Sequence, residues 1–223
     1  MLDERLALVY DLYDPCALAA DIGTDHGQLA SALLLADRCE RMILTDISAA
    51  ALSHARAEMI RRRLTDRVSL RLGDGLAPLE ETCGMISVTG MGGRTIRDIL
   101  TRGAGKLSGA SLILSAHTDL PLVRRAVMDI GYHLDREEPC FAAGRYYLVM
   151  RARPGYEALT DSQLRLGVRL AESRSPLLKN WYARRLEVLE ARMKGLVSAA
   201  APDERLIAET REDMEVCRKQ MEG

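Results

Sequence analysis

Apolar positions in the first 150 residues come in short runs, and these runs alternate with segments whose apolar residues recur at helical spacing. A short apolar run that ends at Gly or Asp is typical of a buried strand, whereas the longer spacing indicates a helix with one buried face. One helix is expected at residues 29–36. A second should run to about residue 63, with Ser48 as its N-cap, and a third should begin near Pro121. The apolar runs predict strands at residues 17–22, 42–45, 68–72, 85–89, 111–115, 132–138 and 146–150.

The order of these elements predicts the fold class. Strands separated by helices favour an α/β fold, a parallel sheet with helices on both faces. The last two strands have no room for a helix between them, so we expect them to pair as an antiparallel hairpin. The prediction is a sheet of about seven strands in residues 1–153.

The pattern changes at Arg153-Pro154-Gly155, which is a turn signal. Beyond it, Ser175-Pro176 and Pro202 each indicate a helix start. Apolar residues then recur at steps of three and four, which predicts an α-helical, coiled-coil-like hairpin as a second domain, residues 154–223. The two stripes are Tyr182, Leu186, Leu189, Met193, Leu196 and Ile207, Thr210, Met214, Cys217, Met221.

Composition narrows the class of protein. The 223 residues are 48% hydrophobic and 28% charged, as in folded globular chains. The chain has no uninterrupted run of about 18 apolar residues, so no membrane span is expected. Its first residues are acidic, which does not fit a signal peptide. The five cysteines and four histidines lack the CxxC, HxxxH or HExxH spacing of metal sites. We therefore expect a cytoplasmic protein with reduced thiols and without a metal.

Candidate ligand-binding residues follow each of the first four strands, where open parallel sheets bind ligands. The first strand runs into Asp21-Ile22-Gly23-Thr24-Asp25-His26-Gly27, and the second ends at Asp46. Gly73-Asp74-Gly75 follows the third strand, and Gly90-Met91-Gly92-Gly93 follows the fourth. Glycine lets the backbone approach a ligand closely. The second-strand acid can accept both ribose hydroxyls, and the third-strand acid can accept an adenine amino group.

Two nucleotide cofactors fit this plan. A dinucleotide fold requires GxGxxG after the first strand, but here Gly23 and Gly27 flank Thr24-Asp25-His26, and Asp25 would repel a pyrophosphate. S-adenosylmethionine has no phosphate, and its ammonium and sulfonium groups suit an acidic loop. The alternative is that Asp21, Asp46 and Asp74 only cap helices and form turns; three acids at three strand ends favour the cofactor.

The motifs together resemble the bacterial tRNA (adenine-22-N1)-methyltransferases (TrmK-like), a branch of the class I S-adenosylmethionine-dependent methyltransferases. The resemblance runs through residues 1–153, and the helical tail fits that family too. It implies a Rossmann-like class I sheet, S-adenosylmethionine as cofactor, tRNA as partner and methyl transfer to adenine N1. The segments that carry it are Arg5-Leu6, Asp21–His26, Arg71–Leu76 and Gly90–Gly93, with looser matches at Gly131-Tyr132 and Arg145–Tyr147.

The resemblance also implies which residues bind the cofactor. It further implies that residues 90–93 face the methyl group and the target base. The cofactor set is Asp21, Gly23, Asp25, His26, Asp46, Ile47, Gly73, Asp74, Gly75, Gly90, Gly92 and Gly93.

The chain departs from the family pattern after the fifth strand, where Ser115-Ala116-His117 replaces the usual Gln-Pro-Asn. An amide there could bind the target adenine. His117 and Asp119 are candidates by position to accept a hydrogen bond from the adenine amino group and ease loss of its proton. Met91 completes the predicted catalytic set. The alternative is a loop histidine and an aspartate that caps the helix opened by Pro121.

Basic residues are concentrated between positions 165 and 194, which hold eight Lys and Arg and three Glu in a chain of net charge -1. Lysine and arginine supply the phosphate contacts of nucleic-acid binding. An alternative is an ordinary solvated helix face. Trp181 and Tyr182 could stack on bases, and Arg61-Arg62-Arg63 is a second basic cluster or complements a helix dipole. The predicted tRNA contacts are Arg165, Arg169, Lys179, Arg184, Arg185, Arg192 and Lys194.

The leading hypothesis is thus a tRNA adenine-N1 methyltransferase. Two alternatives stay open: a methyltransferase with another substrate, and a non-catalytic RNA-binding protein that keeps the cofactor pocket. The sequence leaves the oligomeric state and the accepted tRNAs open.

Overall fold

A computed structural model describes residues 2–222. Its seven strands form one sheet in the order β3-β2-β1-β4-β5-β7-β6. β1 to β5 are parallel, and β7 is inserted antiparallel between β5 and β6. The predicted α/β sheet with an antiparallel last hairpin is confirmed. The strands are β1 (Cys16–Ile22), β2 (Cys39–Asp46), β3 (Val68–Leu72), β4 (Met85–Met91), β5 (Ser111–Ala116), β6 (Tyr132–Ala142) and β7 (Arg145–Pro154).

The last hairpin is longer than the apolar runs indicated. Its ladder pairs Tyr132 with Pro154 at one end and Ala142 with Arg145 at the other. Polar residues continue the pairing because backbone hydrogen bonds do not depend on side-chain polarity. Eight α-helices accompany the strands within residues 2–222: α1 (Glu4–Asp11), α2 (Gln28–Leu35), α3 (Ala49–Arg62), α4 (Gly93–Gly103), α5 (Leu120–Asp129), α6 (Asp161–Leu166), α7 (Leu178–Val197) and α8 (Glu204–Glu222).

Two apolar layers cover the two faces of the sheet. One layer contains Val9 of α1, Leu33 of α2 and Met59 of α3, all fully buried. The other joins Ile96 of α4 and Val123 of α5 to the opposite face. The central strands are therefore buried on both sides, which explains their near-continuous apolar runs.

The helical hairpin formed by α7 and α8 packs on the sheet domain. Tyr182 and Leu189 of α7 and Cys217 of α8 belong to the same core as Leu112 of β5 and Met150 of β7. The predicted stripes are thus the inner faces of the two helices. The end of β7 coincides with the predicted boundary at residues 153–154, but the segments on either side share one core.

A buried ion pair strengthens this junction. Arg124 of α5 and Glu137 of β6 are almost completely buried, with their Nε and Oε1 atoms 2.7 Å apart. Arg124 Nη1 also donates to the Leu164 carbonyl of α6. Glu137 Oε2 accepts from the backbone NH groups of Val168 and Arg169, at 2.6 and 2.7 Å. Groups of the tail therefore complete the hydrogen bonding of this buried pair, and the sheet and the tail share a polar as well as an apolar junction.

Within residues 2–222, each helix is too short or too polar to cross a bilayer. In the same range, no group of three His, Cys, Asp or Glu side chains is placed to hold a metal ion.

Candidate active site

A cavity of about 850 Å³ opens at the carboxyl ends of β1, β2 and β4. This volume is within the usual range for small-molecule sites. Ten of the twelve predicted cofactor residues line it, as do the predicted catalytic residues Met91 and His117. The ten are Asp21, Gly23, Asp25, His26, Asp46, Ile47, Gly73, Asp74, Gly75 and Gly90.

The loop after β1 is held by backbone contacts to the end of β2. The NH groups of Gly23 and Thr24 donate to the Thr45 carbonyl, at 2.8 and 3.1 Å. Gly23 has a φ of +73°, and a Cβ there would lie 2.1 Å from Met91 Cε. The positive φ favours glycine here, whereas the Met91 methyl group could move aside for a larger residue. Met91 itself lines the cavity.

Asp46 organises the second strand end. Its Oδ1 accepts from the Ser48 NH at 2.8 Å, and its Oδ2 accepts from the Asp25 NH at 3.3 Å. Ser48 in turn caps α3 by accepting from the Ala51 NH, as predicted. The carboxylate thus joins the first loop to the start of α3 and borders the cavity, where its remaining lone pairs are suited to hydroxyl donors.

Asp21 is the buried acid of the site, with 4% of its surface exposed. Its Oδ1 accepts from the Ser87 hydroxyl at 2.6 Å, and that hydroxyl accepts from the Tyr13 hydroxyl at 2.8 Å. Burial raises the pKa of Asp21, and the Ser87 hydrogen bond opposes the rise. Removal from water disfavours the carboxylate, so a cationic ligand group beside it would be stabilised.

The third strand end combines an acid with apolar surface. Asp74 is exposed and pairs with Arg102 across 2.8 Å. The Ile47 side chain is 76% exposed and borders the cavity together with Ile99. An exposed isoleucine beside a cavity offers an apolar surface to a bound aromatic ring. Such a ring would cover the isoleucine side chain and remove it from water.

His117 lies at the opposite side, after β5. Its NH donates to the Met91 carbonyl at 2.9 Å, and its ring meets Tyr147 edge-on, with centroids 5.6 Å apart. Burial lowers the pKa of His117, and the positive charges of Arg5 and Arg145 lower it further. The imidazole is therefore neutral at pH 7 and can accept a proton or hydrogen bond.

Three predicted site residues lie outside the cavity lining. Gly92 caps α4, and the Gly93 NH donates to the Thr118 carbonyl at 3.1 Å. A Cβ on Gly93 would lie 2.4 Å from that carbonyl oxygen, so this glycine allows close packing of two loops. Asp119 precedes α5 with a φ of +54° and accepts from the Thr118 hydroxyl. These contacts favour structural roles for Gly92, Gly93 and Asp119, and their predicted cofactor and catalytic roles stay predictions.

The sequence reasoning did not place Arg5, Thr95 or Ile99 among the site residues, yet all three line the cavity. Arg5 and Tyr147 occur in segments that carried the family resemblance. Their approach depends on α1 folding over the end of the last hairpin, which local patterns do not report.

The basic residues of the tail divide into two groups. Arg165 binds the buried Asp213 through two hydrogen bonds of 2.7 and 2.9 Å, and Arg169 binds Glu157 at 2.8 Å. Both arginines are thus paired with acids of the protein, which favours a structural role, and their predicted RNA contact stays a prediction. Burial lowers the pKa of Arg185. Among the seven predicted tRNA contacts, those exposed to solvent are Lys179, Arg184, Arg192 and Lys194.

The other candidate RNA residues are also engaged. Tyr182 is 3% exposed and lies in the core, so it cannot stack on a base. Trp181 is partly exposed and meets Tyr146 edge-on. Arg61 and Arg62 both bind Glu58 on their own helix.

Comparisons with known proteins agree with this architecture. Residues 2–150 match the family described as "Methyltransferase domain". The tRNA (adenine(22)-N(1))-methyltransferase of Bacillus subtilis (strain 168) is 29% identical over 189 residues, 81% of this chain and 79% of the relative.

Solved structures extend the likeness through the helical tail. The B. subtilis m1A22 tRNA methyltransferase superposes with a TM-score of 0.86 at 25% identity, covering 99% of each chain. A Streptococcus pneumoniae protein described as a tRNA (m1A22) methyltransferase, in complex with S-adenosyl-L-methionine, gives 0.85 at 25% identity, covering 99% of this chain and all of that one. The resemblance inferred from the motifs is confirmed. With its strand-end cavity and a family match over two thirds of its length, this chain belongs to the methyltransferase-domain family, with the class I fold.

Proposed function

We propose that this protein uses S-adenosylmethionine to methylate N1 of an adenine in tRNA, at position 22. The observation that carries the proposal is the extent of the likeness. The family match ends at residue 150, whereas the tRNA (m1A22) methyltransferase structures cover 99% of the chain. The helical tail is therefore shared with the tRNA (m1A22) methyltransferase of B. subtilis.

The cavity fits the cofactor in chemistry. Asp46 would accept hydrogen bonds from the ribose hydroxyls, and Ile47 would cover the adenine ring. Asp74 would accept from the adenine amino group, although it shares its carboxylate with Arg102. Asp21 supplies a buried negative charge for a cationic group. The loop of residues 23–27 brings Gly23, Thr24, Asp25 and His26 to the cavity, and the Asp25 carboxylate would repel a phosphate.

The chain's own residues would perform two tasks. When bound, S-adenosylmethionine supplies a methyl group on a sulfonium. The walls formed by Gly90, Met91 and His117 would hold the target base against the cofactor, and such positioning accounts for much of the rate of a group transfer. The neutral His117 imidazole would accept a hydrogen bond from the adenine amino group. Methylation at N1 makes the ring cationic, and the same imidazole would then accept the amino proton.

The exposed bases of α7 would contact tRNA phosphates. Arg184, Arg192 and Lys194 are exposed, and Arg184 shares its charge only with the exposed Glu187. Exposed ion pairs are weak, so a phosphate can displace the carboxylate. A tRNA substrate would also place the activity in the cytoplasm.

The test uses the full-length protein, S-adenosylmethionine and an unmodified tRNA transcript with adenine at position 22. Nucleoside mass analysis should detect 1-methyladenosine, and a transcript with guanine at position 22 should stay unmethylated. Methylation of both transcripts would overturn the assigned position. Cofactor binding by calorimetry without methylation of any tRNA would favour a different substrate or a non-catalytic protein.

A further inference from the structure

A group of aromatic side chains lies where the last hairpin meets α7. Phe141 of β6 and Tyr146 of β7 are cross-strand partners, with ring centroids 4.9 Å apart and ring planes tilted by 59°. Trp181 of α7 meets Tyr146 edge-on, with centroids 6.3 Å apart. We call these three side chains the aromatic patch. It contains the only Phe and the only Trp of a chain that is 4% aromatic.

The aromatic patch keeps apolar surface in water. Phe141 is 45% exposed, and Tyr146 and Trp181 are partly exposed. Burial of an aromatic ring is among the larger apolar contributions to stability, so clustered rings left at the surface indicate that a partner covers them. Because the rings meet tilted or edge-on and not face to face, a planar group can stack on the exposed ring of Phe141.

The hairpin fixes this surface before any partner binds. Ala143 and Gly144 form the two-residue turn, with φ of +48° and +75°, and the ladder begins directly beside it. Turns of this kind hold the two strands of a hairpin in one register. The relative position of Phe141 and Tyr146 is therefore set by backbone hydrogen bonds. Binding at such a preformed surface orders few further side chains.

The aromatic patch adjoins the side of the cavity at which the target base is expected. Tyr147 follows Tyr146 on β7, and its ring meets His117 edge-on. Neighbouring side chains of a strand point to opposite faces, so Tyr146 is directed away from His117 and toward Trp181. On α7, Trp181 lies about one turn before the exposed Arg184. The patch thus lies between the candidate active site and the exposed bases of α7.

Positive charge accompanies the aromatic patch. Arg145 is exposed beside Tyr146, and within residues 2–222 it takes part in no ion pair. Burial lowers the pKa of His117, and the charges of Arg5 and Arg145 lower it further, so Arg145 lies close to the candidate site. Exposed rings beside an unpaired arginine suit single-stranded nucleic acid, whose bases stack while its phosphates bind the cation. A second copy of this chain on the same patch would bring two Arg145 charges together, which disfavours a dimer there.

The proposed reaction itself creates a base that such a surface can hold. N1 of adenine lies on the edge that pairs with another base, so the target adenine must leave its pair and its stack to reach the cavity. The neighbouring nucleotide then loses a stacking partner. An aromatic ring close to the cavity can take the place of that partner.

We propose that the aromatic patch stacks on a tRNA base next to the target adenine, while Arg145 binds a phosphate of the same segment. This proposal rests on the proposed function, because it takes tRNA as the substrate. The patch would then join the side of the cavity at His117 to the exposed bases of α7 in one continuous RNA surface.

The test measures the affinity of full-length variants for an unmodified tRNA transcript with adenine at position 22, at several salt concentrations. Phe141→Ala should weaken binding by about 5- to 100-fold, as for loss of one stacked base, with an unchanged salt slope. Phe141→Tyr keeps the ring and should stay within about twofold of the unchanged protein, whereas Phe141→Leu keeps only apolar volume and should remain weak. Arg145→Gln should flatten the salt slope by about one unit. Tyr156→Ala removes a 72% exposed aromatic side chain outside the patch and should change neither quantity.

Trp181 gives an independent readout, because it is the only tryptophan of the chain. Its fluorescence should be quenched when tRNA binds to the unchanged protein, and less so for Phe141→Ala at saturating tRNA. The affinity for S-adenosylhomocysteine should stay the same in every patch variant. A parallel loss of both affinities in Phe141→Ala and Phe141→Leu would mean that the ring supports the fold, which would overturn the proposal.

Unchanged tRNA affinity in Phe141→Ala would also overturn it. So would a dimer of the unchanged protein in sedimentation that Phe141→Ala dissociates, because a second copy would then cover the patch. If Phe141→Ala does not fold, Phe141→Leu and Arg145→Gln decide. Binding of tRNA that depends on the patch, without methylation, would refute the proposed function and support the stacking surface. Methylation with equal kcat/KM in all variants would support the function and overturn the stacking surface.

Discussion

At the carboxyl edge of the sheet, charged groups face a cavity with few opposite charges, whereas in the tail the charges nearest the sheet are paired within the protein. Asp21 has only a hydroxyl partner, and Arg5 Nη1 has none among residues 2–222. In the tail, Arg165 is bound by Asp213, and Arg169 by Glu157. A buried polar group without a protein partner is available to a ligand, whereas a paired charged side chain links one helix or strand to another.

Removing the tail should therefore have the largest effect. A chain that ends at residue 154 loses the backbone groups of the tail that hydrogen-bond to Arg124 and Glu137, and it exposes the core face that Tyr182, Leu189 and Cys217 cover. We expect it to be insoluble or to lack a cooperative unfolding transition, measured by circular dichroism against temperature. A truncated protein that unfolds cooperatively and binds S-adenosylhomocysteine would show that the junction is dispensable.

The buried pair within the junction should have the next largest effect. Glu137→Leu leaves the Arg124 charge buried without its carboxylate and should lower the free energy of unfolding by about 3–5 kcal/mol. Urea unfolding measures this. Glu187→Leu breaks the exposed pair with Arg184 and should cost less than about 1 kcal/mol. Similar losses in both variants would contradict the distinction between paired structural charges and surface charges.

On the cavity side, His117→Ala should lower kcat for tRNA methylation by about 100-fold, as for loss of a general base. His117→Asn keeps an acceptor and should retain more activity. The lowered pKa of His117 keeps the imidazole neutral to a lower pH than an ordinary histidine. Activity should therefore persist as the pH falls to the ordinary pKa of histidine and decline only at lower pH, where the ring gains its proton. The Asn variant should lack this decline; an unchanged acid limb would refute the role.

Asp46→Ala should lower the affinity for S-adenosylhomocysteine by about 1–3 kcal/mol, because hydrogen bonds to a charged acceptor are lost. Asp46→Asn keeps one oxygen acceptor and should cost less. Asp98→Ala removes an exposed acid outside the cavity and is the matched control. Unchanged affinity in a folded Asp46→Ala protein would show that this carboxylate only joins the loop to α3.

The smallest effect is expected from single exposed bases. Arg184→Gln and Arg192→Gln should each flatten the dependence of tRNA affinity on salt by about one unit of slope. Arg165→Gln should leave that slope unchanged and instead lower stability, since the fully buried Asp213 would lose its partner. The measurement is the tRNA affinity of each variant at several salt concentrations. An equal change of the salt slope in all three variants would mean that Arg165 contacts the RNA.

Much of the site could be predicted because it lies where strands end. The apolar run before Asp21 and the glycines after it are local features, and parallel strands bring their carboxyl ends to one edge. Ten of the twelve predicted cofactor residues accordingly line one cavity. Gly92 and Gly93 are also strand-end glycines, but they lie outside the cavity lining, at the start of α4 and its contact with the next loop.

The alternation of strands and helices, the acids at the strand ends and the two helical stripes of the tail could all be predicted, since each follows from spacing within a few residues. Which charges are paired depends instead on how distant segments pack. Arg165 and Asp213 lie 48 positions apart, and Arg5, Gly90 and Tyr147 are farther apart still. Such partnerships are made by packing between distant segments, and a charge in a sequence carries no record of the partner that packing brings to it.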